Sequence, residues 1–265
     1  MRSRSKAPLI ILIVLLVIAI GVGTGYFAWY WQSGTLAPPT QRVEPPTTTT
    51  AETAVTTMPQ TVPTEPPLPE NPVDFATLKA TNSDIYGWLY VPGTVIDYPV
   101  ACATDEADGF YLEHNIYKQY EFAGTIYSEK KNGTDMMHRN TVYYGHNMLN
   151  GTMFSSLHDF EDKAFFDEHD TFYVYTPGHI YTYKIFAAYE YDNRHLLNSF
   201  DYSDDAVWAE YLAYATNPKT FTVNTRDVPV TIHDRIVTLS TCVGWNKSVR
   251  YLVQGVLVND QPTRT

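Results

Sequence analysis

Three side chains that could together carry out acyl transfer lie on three separate segments of this chain. The pentapeptide Thr238-Leu239-Ser240-Thr241-Cys242 ends in a thiol, and Arg250 follows it closely. His146 lies much earlier, within Tyr144-Gly145-His146-Asn147. Cysteine acyl transfer needs a nucleophile, a proton shuttle and a fixed positive charge. These residue types therefore make Cys242, His146 and Arg250 candidate catalytic groups.

The protonation state of each group decides which chemical role it can take. Only the thiolate form of a cysteine is a good nucleophile, and Cys242 ends a predicted strand, where no helix dipole assists it. Its activation would therefore come from His146 and Arg250. An imidazole can protonate a departing amine and deprotonate an incoming one, and a guanidinium can donate several hydrogen bonds to an oxyanion. Each residue alone has an ordinary structural explanation, so the interpretation depends on their combination.

Tyr and β-branched residues are frequent in the second part of the chain, which predicts strands there. These strands would position the three candidate groups. Strands are predicted at 86–91, 94–100, 124–127, 141–144, 171–175, 180–189, 236–241 and 250–258. Helices are predicted at 74–82, 161–169 and 203–215, with a helical turn at 105–114. The helix at 203–215 is expected to be capped by Ser203. Strands with short inserted helices predict a mainly-β barrel or sandwich.

The N-terminal part of the sequence predicts a membrane anchor. Residues 9–31 carry no charge, and basic residues precede them. Such a run can span a bilayer as a helix, with residues 1–8 in the cytoplasm and the rest of the chain outside. A cleaved signal peptide is the alternative, but bulky aromatics such as Trp29 and Trp31 occupy the place where cleavage is expected.

Composition divides the part after the anchor into two regions. Residues 32–70 are rich in Pro and Thr and are predicted to form an extended extracellular tether. Residues 71–265 are long enough for one domain with a sizeable core. The chain has a formal charge of −11, and all 29 acidic residues follow the anchor. This balance argues against nucleic acid as a partner.

The remaining residues that could do chemistry do not predict a cofactor or a metal site. Cys102 and Cys242 are the only cysteines, so a disulfide between them stays open beside a reactive Cys242. An acidic cluster at 105–108 could bind calcium or be a solvated loop. The other histidines show no metal-ligand spacing. They are His114, His138, His158, His169, His179, His195 and His233.

These motifs resemble those of the sortase family. Thr238-Leu239-Ser240-Thr241-Cys242 is similar to the signature Thr-Leu-x-Thr-Cys, and Arg250 and the His146 segment match the family's arginine and histidine segments. The resemblance is to class B sortases in particular and extends over about 74–258, including the helix at 203–215. Its further motifs are Tyr86-Gly87-Trp88-Leu89, Ile96-Asp97-Tyr98-Pro99-Val100, Phe110-Tyr111-Leu112 and Gly145-His146-Asn147-Met148.

The resemblance implies a closed eight-stranded β-barrel and a membrane-anchored cysteine transpeptidase of a Gram-positive bacterium. Such enzymes cleave a C-terminal sorting signal after its threonine, hold the protein as a thioester and transfer it to an amine. In class B the amine usually belongs to a cell-wall precursor, the lipid-linked peptidoglycan, whereas some relatives join pilin subunits. The partners implied are therefore surface proteins with sorting signals, the wall precursor and the lipid bilayer.

The family's residue roles are carried over by matching position. Cys242 is implied as the nucleophile, His146 as the acid–base residue and Arg250 as the stabiliser of the oxyanion or substrate. Leu112 and Ser240 match positions that line the signal-binding groove. Thr241 is grouped with these substrate-binding residues and is expected to support Cys242 rather than to react.

One departure from the class B pattern concerns the loop after Cys242. Many class B members have an acidic residue there, whereas this chain has Val243-Gly244-Trp245-Asn246. Because this loop helps to frame the groove, the preferred signal stays open between an Asn-Pro-Gln-Thr-Asn type and a Leu-Pro-x-Thr-Gly type.

Two other classes of protein were compared with the same residues. Cell-wall L,D-transpeptidases also use Cys and His, but they place His and Gly just before the cysteine and Arg just after it. This chain has Ser240-Thr241 before Cys242 and Val243-Gly244 after it, so that match fails. A tethered binding module that keeps the barrel without turnover is the second alternative, and the intact triad argues against it.

Overall fold

A computed structural model describes residues 67–244 and 246–264 of the chain. The predicted cytoplasmic residues 1–8, the predicted anchor 9–31 and most of the predicted tether lie outside this part. No helix within the described residues is long and apolar enough to cross a membrane. The last tether residues are described, and there Glu70 pairs with Arg264 in an isolated parallel bridge.

Nine strands and four α-helices make up the described part of the chain. The strands are β1 (Ile85–Tyr90), β2 (Asp97–Cys102), β3 (Ile126–Ser128), β4 (Asn140–Tyr144), β5 (Thr171–Thr176), β6 (His179–Asp192), β7 (Val223–Thr225), β8 (Ile236–Val243) and β9 (Asn246–Pro262). The α-helices are α1 (Phe75–Thr81), α2 (Lys163–Glu168), α3 (Leu196–Ser199) and α4 (Asp205–Ala215). Short 3-10 helices cover Phe110–Leu112, Lys130–Asn132 and Ser155–Glu161.

The strands form a closed barrel and not a sandwich. Their order is β5-β1-β2-β3-β4-β8-β9-β6-β7, and β5 also pairs with β6. That pairing closes a ring of eight strands and leaves β7 as an addition on β6. The pairs β2–β3 and β4–β8 are parallel, and the other pairs are antiparallel. The predicted closed eight-stranded fold is therefore confirmed.

Helix α4 packs on the outside of the barrel. Trp208, Tyr211 and Leu212 of this helix are buried in a cluster with β-strand residues that include Val142 and Leu252. Burial of these aromatic and aliphatic side chains removes apolar surface from water and fixes the helix on β4, β8 and β9. The helix therefore covers the outer face of these strands as far as Tyr191 of β6, the register partner of Arg250.

The cap of α4 differs from the prediction. Asp204, not Ser203, caps the helix, because its carboxylate accepts hydrogen bonds from the backbone N–H groups of Ala206 and Val207. The Ser203 hydroxyl instead donates to the Asp201 carboxylate at 2.6 Å. A side chain directly before the first helical residue reaches the free N–H groups of the first turn, which explains the difference.

Candidate active site

The parallel pairing of β4 with β8 brings the His146 segment beside Cys242. Tyr144 is the register partner of Ser240, and the backbone N–H of Gly145 donates to the Ser240 carbonyl at 3.3 Å. One step further, Nδ2 of Asn147 donates to the Cys242 carbonyl at 3.1 Å. The two segments therefore run side by side beyond the end of β4, at about the 4.8 Å spacing of neighbouring strands.

The antiparallel pairing of β8 with β9 places Arg250 on the other side of Cys242. The two residues are direct register partners, and the strand pairing becomes irregular immediately after Cys242. The Arg250 side chain is half-buried, and its Nη1 donates to the carbonyl of Val249 at 3.3 Å. The structure thus brings Cys242, His146 and Arg250 together at one end of three adjacent segments.

The surroundings of His146 favour its neutral form. Burial lowers the pKa of the ring, and a hydrogen bond to the carbonyl of Leu112 acts in the opposite direction. The ring stacks on Phe122 with centroids 5.1 Å apart. Nε2 has no hydrogen-bond partner among the described residues, so the bond to Leu112 falls to Nδ1–H. This tautomer leaves the lone pair of Nε2 free to exchange a proton.

Gly145 allows the tight packing under His146. A Cβ atom at this position would lie 2.5 Å from Cδ1 of Ile126 and 2.8 Å from Cδ2 of Phe154. Since real Cβ atoms do not approach other atoms so closely, any side chain here would displace the segment that carries His146. The glycine in the histidine motif therefore serves the position of the imidazole.

The structure separates the three residues predicted to bind substrate. Leu112 is half-buried at the end of a 3-10 helix, and its backbone carbonyl contacts His146. Ser240 shares a face of β8 with Cys242 and is 4 % exposed, so it lies in the floor of the site. Thr241 points to the opposite face, is 2 % exposed and donates its hydroxyl to the Gly145 carbonyl at 2.8 Å. This contact agrees with the expectation that Thr241 supports the Cys242 segment, and its place among the substrate-binding residues stays a prediction.

Aromatic side chains extend the floor of the site away from Ser240. Tyr127 of β3 is the register partner of Tyr144 in β4, and their rings stack with centroids 5.3 Å apart. Burial raises the pKa of both phenols, which are also within electrostatic reach of the Arg250 charge. Beside them, Nε2 of His195 lies 2.8 Å from Oε1 of Glu129. This row extends from β8 across β4 to β3.

Sequence reasoning missed two side chains that contact the main chain of Cys242. Asn147 was noted only as part of a motif, and His158 only as a histidine without metal-ligand spacing. In the structure Nε2 of His158 lies 3.0 Å from the Cys242 carbonyl. The available signal was the His158-x-x-Glu161 spacing, which pairs an imidazole with a carboxylate on one helical face.

The two cysteines are not bonded to each other. Cys102 is buried and free, and Cys242 is half-buried and free. Burial raises the pKa of the Cys102 thiol, so this residue is poorly suited to nucleophilic chemistry. Within residues 67–244 and 246–264, no three His, Cys, Asp or Glu side chains are grouped to hold a metal ion.

A comparison with protein-family models decides the family. The model for the Sortase domain matches residues 89–258, which include every residue of the candidate site. The chain belongs to the sortase family. It is a cysteine transpeptidase, and the matched residues include Cys242, which lies one residue before the end of β8.

The relatives place this sortase in class B. Sortase B of Listeria monocytogenes is 34 % identical over 188 residues, covering 70 % of this chain and 74 % of the relative. The crystal structure of Clostridium perfringens sortase B has a TM-score of 0.63 at 31 % identity and covers 70 % of this chain and 100 % of that chain. A crystal structure of sortase B complexed with triglycine has a TM-score of 0.60 at 26 % identity, covering 70 % of this chain and 85 % of that chain. The class B resemblance is confirmed.

Proposed function

We propose that this sortase cleaves a C-terminal sorting signal after its threonine and transfers the protein to an amine of a cell-wall precursor. The observation that carries this proposal is the convergence of Cys242, His146 and Arg250 at the ends of β8, β4 and β9. A thiol, an imidazole and a guanidinium in this arrangement supply the three functions that acyl transfer needs.

In the first half of the proposed reaction the enzyme becomes acylated. The Cys242 thiolate attacks the carbonyl carbon of the signal's threonine, and the Arg250 guanidinium donates hydrogen bonds to the resulting oxyanion. The C–N bond then breaks, and His146 gives its Nε2 proton to the departing amine. The product is a thioester between Cys242 and the new C-terminus. Because burial favours the neutral imidazole, this step uses the minority of molecules in which His146 is protonated.

In the second half an amine releases the protein. Its nitrogen attacks the thioester carbon, His146 takes up the proton, and the Cys242 thiolate leaves as the new amide bond forms. The sortase B relative complexed with triglycine supports a peptide amine as the acceptor class. A lipid-linked peptidoglycan precursor that presents such an amine would be the acceptor, and surface proteins with sorting signals would be the donors.

The proposal includes an anchor in the cell membrane. Residues 9–31 would span the bilayer with residues 1–8 in the cytoplasm, and residues 32–70 would hold the catalytic domain outside. The length and apolar character of this run, with basic residues before it, support this topology. Both proposed substrates would meet the enzyme at the outer face of the membrane.

A peptide-library assay tests the proposed function. The full chain in detergent is incubated with peptides that contain both types of sorting signal, and the products are identified by mass spectrometry. Cleavage after threonine is expected, with a loss of about a thousandfold or more in Cys242→Ala and about a hundredfold in His146→Ala or Arg250→Ala. Cys102→Ala is the matched control and should retain activity. Undiminished cleavage by Cys242→Ala would contradict the proposal.

A further inference from the structure

The carbonyl oxygen of Cys242 lies beyond the end of the β4–β8 hydrogen-bond ladder. Strand β4 ends at Tyr144, and among the described residues the last backbone hydrogen bond from this segment to β8 runs from Gly145 to Ser240. Two side-chain nitrogens lie within hydrogen-bond distance of this oxygen. Nδ2 of Asn147 is 3.1 Å away and Nε2 of His158 is 3.0 Å away. A peptide carbonyl that leaves the regular ladder needs such donors. The peptide group of the candidate nucleophile is thus held by side chains alone on this side.

His158 is firmly fixed in this position. It belongs to the 3-10 helix Ser155–Glu161, in which Leu157 and Phe160 are fully buried. Nδ2 of Asn224 in β7 donates to the carbonyls of Phe160 and Glu161, which ties the helix to the barrel. The imidazole also stacks on Tyr251 with centroids 5.0 Å apart, and its side chain is 21 % exposed. The ring therefore has little freedom to leave the Cys242 carbonyl.

Both nitrogens of His158 face acceptors. Nδ1 lies 2.5 Å from Oε1 of Glu161, and Nε2 lies 3.0 Å from the carbonyl of Cys242. A carbonyl oxygen only accepts, and an ionised carboxylate only accepts, so both contacts are hydrogen bonds when each ring nitrogen carries a proton. The doubly protonated ring is a cation. In that form the ring, paired with Glu161, would place a positive charge against the peptide group of Cys242.

We propose that His158, held by Glu161, is a positioning residue that fixes the main chain of Cys242 and supplies a positive charge favouring its thiolate form. This inference depends on the proposed role of Cys242 as nucleophile. A nearby cation stabilises a thiolate, and a charge-assisted hydrogen bond is stronger than a neutral one. Glu190 of β6, the register partner of Tyr251, faces this region, as do titratable groups on other neighbouring elements. They are Asp159 beside His158, His146 after β4, Tyr127 in β3, and Arg250 and Tyr251 in β9.

The chain offers a matched control for a His–acid pair. Nδ1 of His179 lies 2.7 Å from Asp260, and the ring stacks on Tyr181 with centroids 5.4 Å apart. His179 pairs with Pro262 at one end of the β6–β9 ladder. Arg250, which pairs with Cys242, lies near the other end. A His179→Phe substitution therefore removes the same type of pair without touching the site.

Alkylation of Cys242 by iodoacetamide separates charge from accessibility. The rate in the full chain is followed by peptide mass spectrometry at about pH 7 and about pH 9.5, on either side of the ordinary titration of a thiol near 8.5. The rate at the lower pH divided by the rate at the higher pH is called the alkylation ratio. It reports how readily the thiol ionises, because accessibility affects both rates alike. His158→Phe, which can keep the stacking on Tyr251, should lower the ratio about threefold or more, whereas His179→Phe should not change it.

Peptide cleavage supplies the second measurement. His158→Phe should lower kcat about tenfold with little change in KM, because substrate contacts are kept. His158→Gln, which offers a neutral donor, should recover part of kcat but not the alkylation ratio. Glu161→Gln should also lower the ratio, and it tests the charge if His158→Phe fails to fold.

Unchanged ratios in His158→Phe and Glu161→Gln would overturn the inference, even if the melting temperature fell. Failure of the proposed function would look different, since wild-type cleavage would then be absent or would survive Cys242→Ala.

Discussion

At the scale of single residues, the imidazole of His146 shows how surroundings decide protonation. Phe122 covers one face of the ring, the Leu112 carbonyl accepts from Nδ1–H, and burial lowers the pKa. The neutral ring suits a group that must accept a proton from an incoming amine. The same burial also makes protonation of His146 costly to the folded protein.

This burial predicts a dependence of stability on pH. The folded protein binds a proton at His146 less readily than the unfolded chain does, so the unfolded state takes up more protons as the pH falls below about 6.5. The free energy of unfolding should therefore decrease on acidification, and less so in His146→Phe. Urea unfolding at a series of pH values measures both proteins. Above about pH 7.5 the two curves should run parallel, and parallel curves at acidic pH as well would contradict the assignment.

The sequence was enough to identify the candidate catalytic residues, but not the contacts that surround them. Cys242, His146 and Arg250 stand in recognisable motifs at strand ends, and pairing of adjacent strands brings them together. The contacts of Thr241 with Gly145 and of His158 with Cys242 could not be predicted in this way. They depend on where β4 stops and on how a 3-10 helix packs, and the spacing of His158 and Glu161 predicts their pairing but not their position against Cys242.

At the scale of elements, strands with a clear residue pattern were predictable, and two of the very short elements were not. The predicted strands at 141–144 and 236–241 correspond to β4 and β8, because β-branched and aromatic residues mark them clearly. Helix α3 and strand β7 have four and three residues and were not predicted. Strand β9 begins at Asn246 and ends at Pro262, beyond the predicted 250–258 on both sides, since its ends carry polar residues.

The corrected cap of α4 can be tested directly. Asp204→Ala removes the acceptor for the N–H groups of Ala206 and Val207 and should lower the free energy of unfolding by about 1 kcal/mol. Ser203→Ala is the neighbouring control and should change it by less than about 0.5 kcal/mol, because its hydroxyl bonds only to an exposed carboxylate. Chemical denaturation of both variants measures the difference. A larger loss in Ser203→Ala would restore Ser203 as the cap.

At the scale of the whole molecule, closure of the barrel places the site at one end of the sheet. The strand count alone left a barrel or a sandwich open, and the pairing of β5 with β6 distinguishes them. This pairing joins strands on either side of a tight turn at Gly178, whose φ is 86°. The resemblance to sortases implied the closed form, whereas composition could not, because both architectures use the same alternating strands.

Membrane anchoring is a separate prediction at this scale. Replacing Leu15 and Leu16 by Arg should release much of the full chain from membranes, because each arginine at the centre of a spanning helix costs about 2.5–3.5 kcal/mol. The double substitution Thr48→Arg and Thr49→Arg adds the same charge within the tether and should leave the chain in the membrane. Sedimentation of membranes after a carbonate wash measures the retained fraction. Equal retention of both variants would contradict the anchor at 9–31.

The central claim is that Cys242 carries the cleaved protein as a thioester, and trapping this intermediate tests it most directly. The full chain is mixed with a sorting-signal peptide that it cleaves, in the absence of an amine acceptor, then quenched in acid and mapped by mass spectrometry. The predicted result is an adduct on Cys242 whose mass equals the peptide up to its threonine, released by hydroxylamine. Cleavage that proceeds with no adduct on Cys242, or with an adduct on another residue, would contradict the claim.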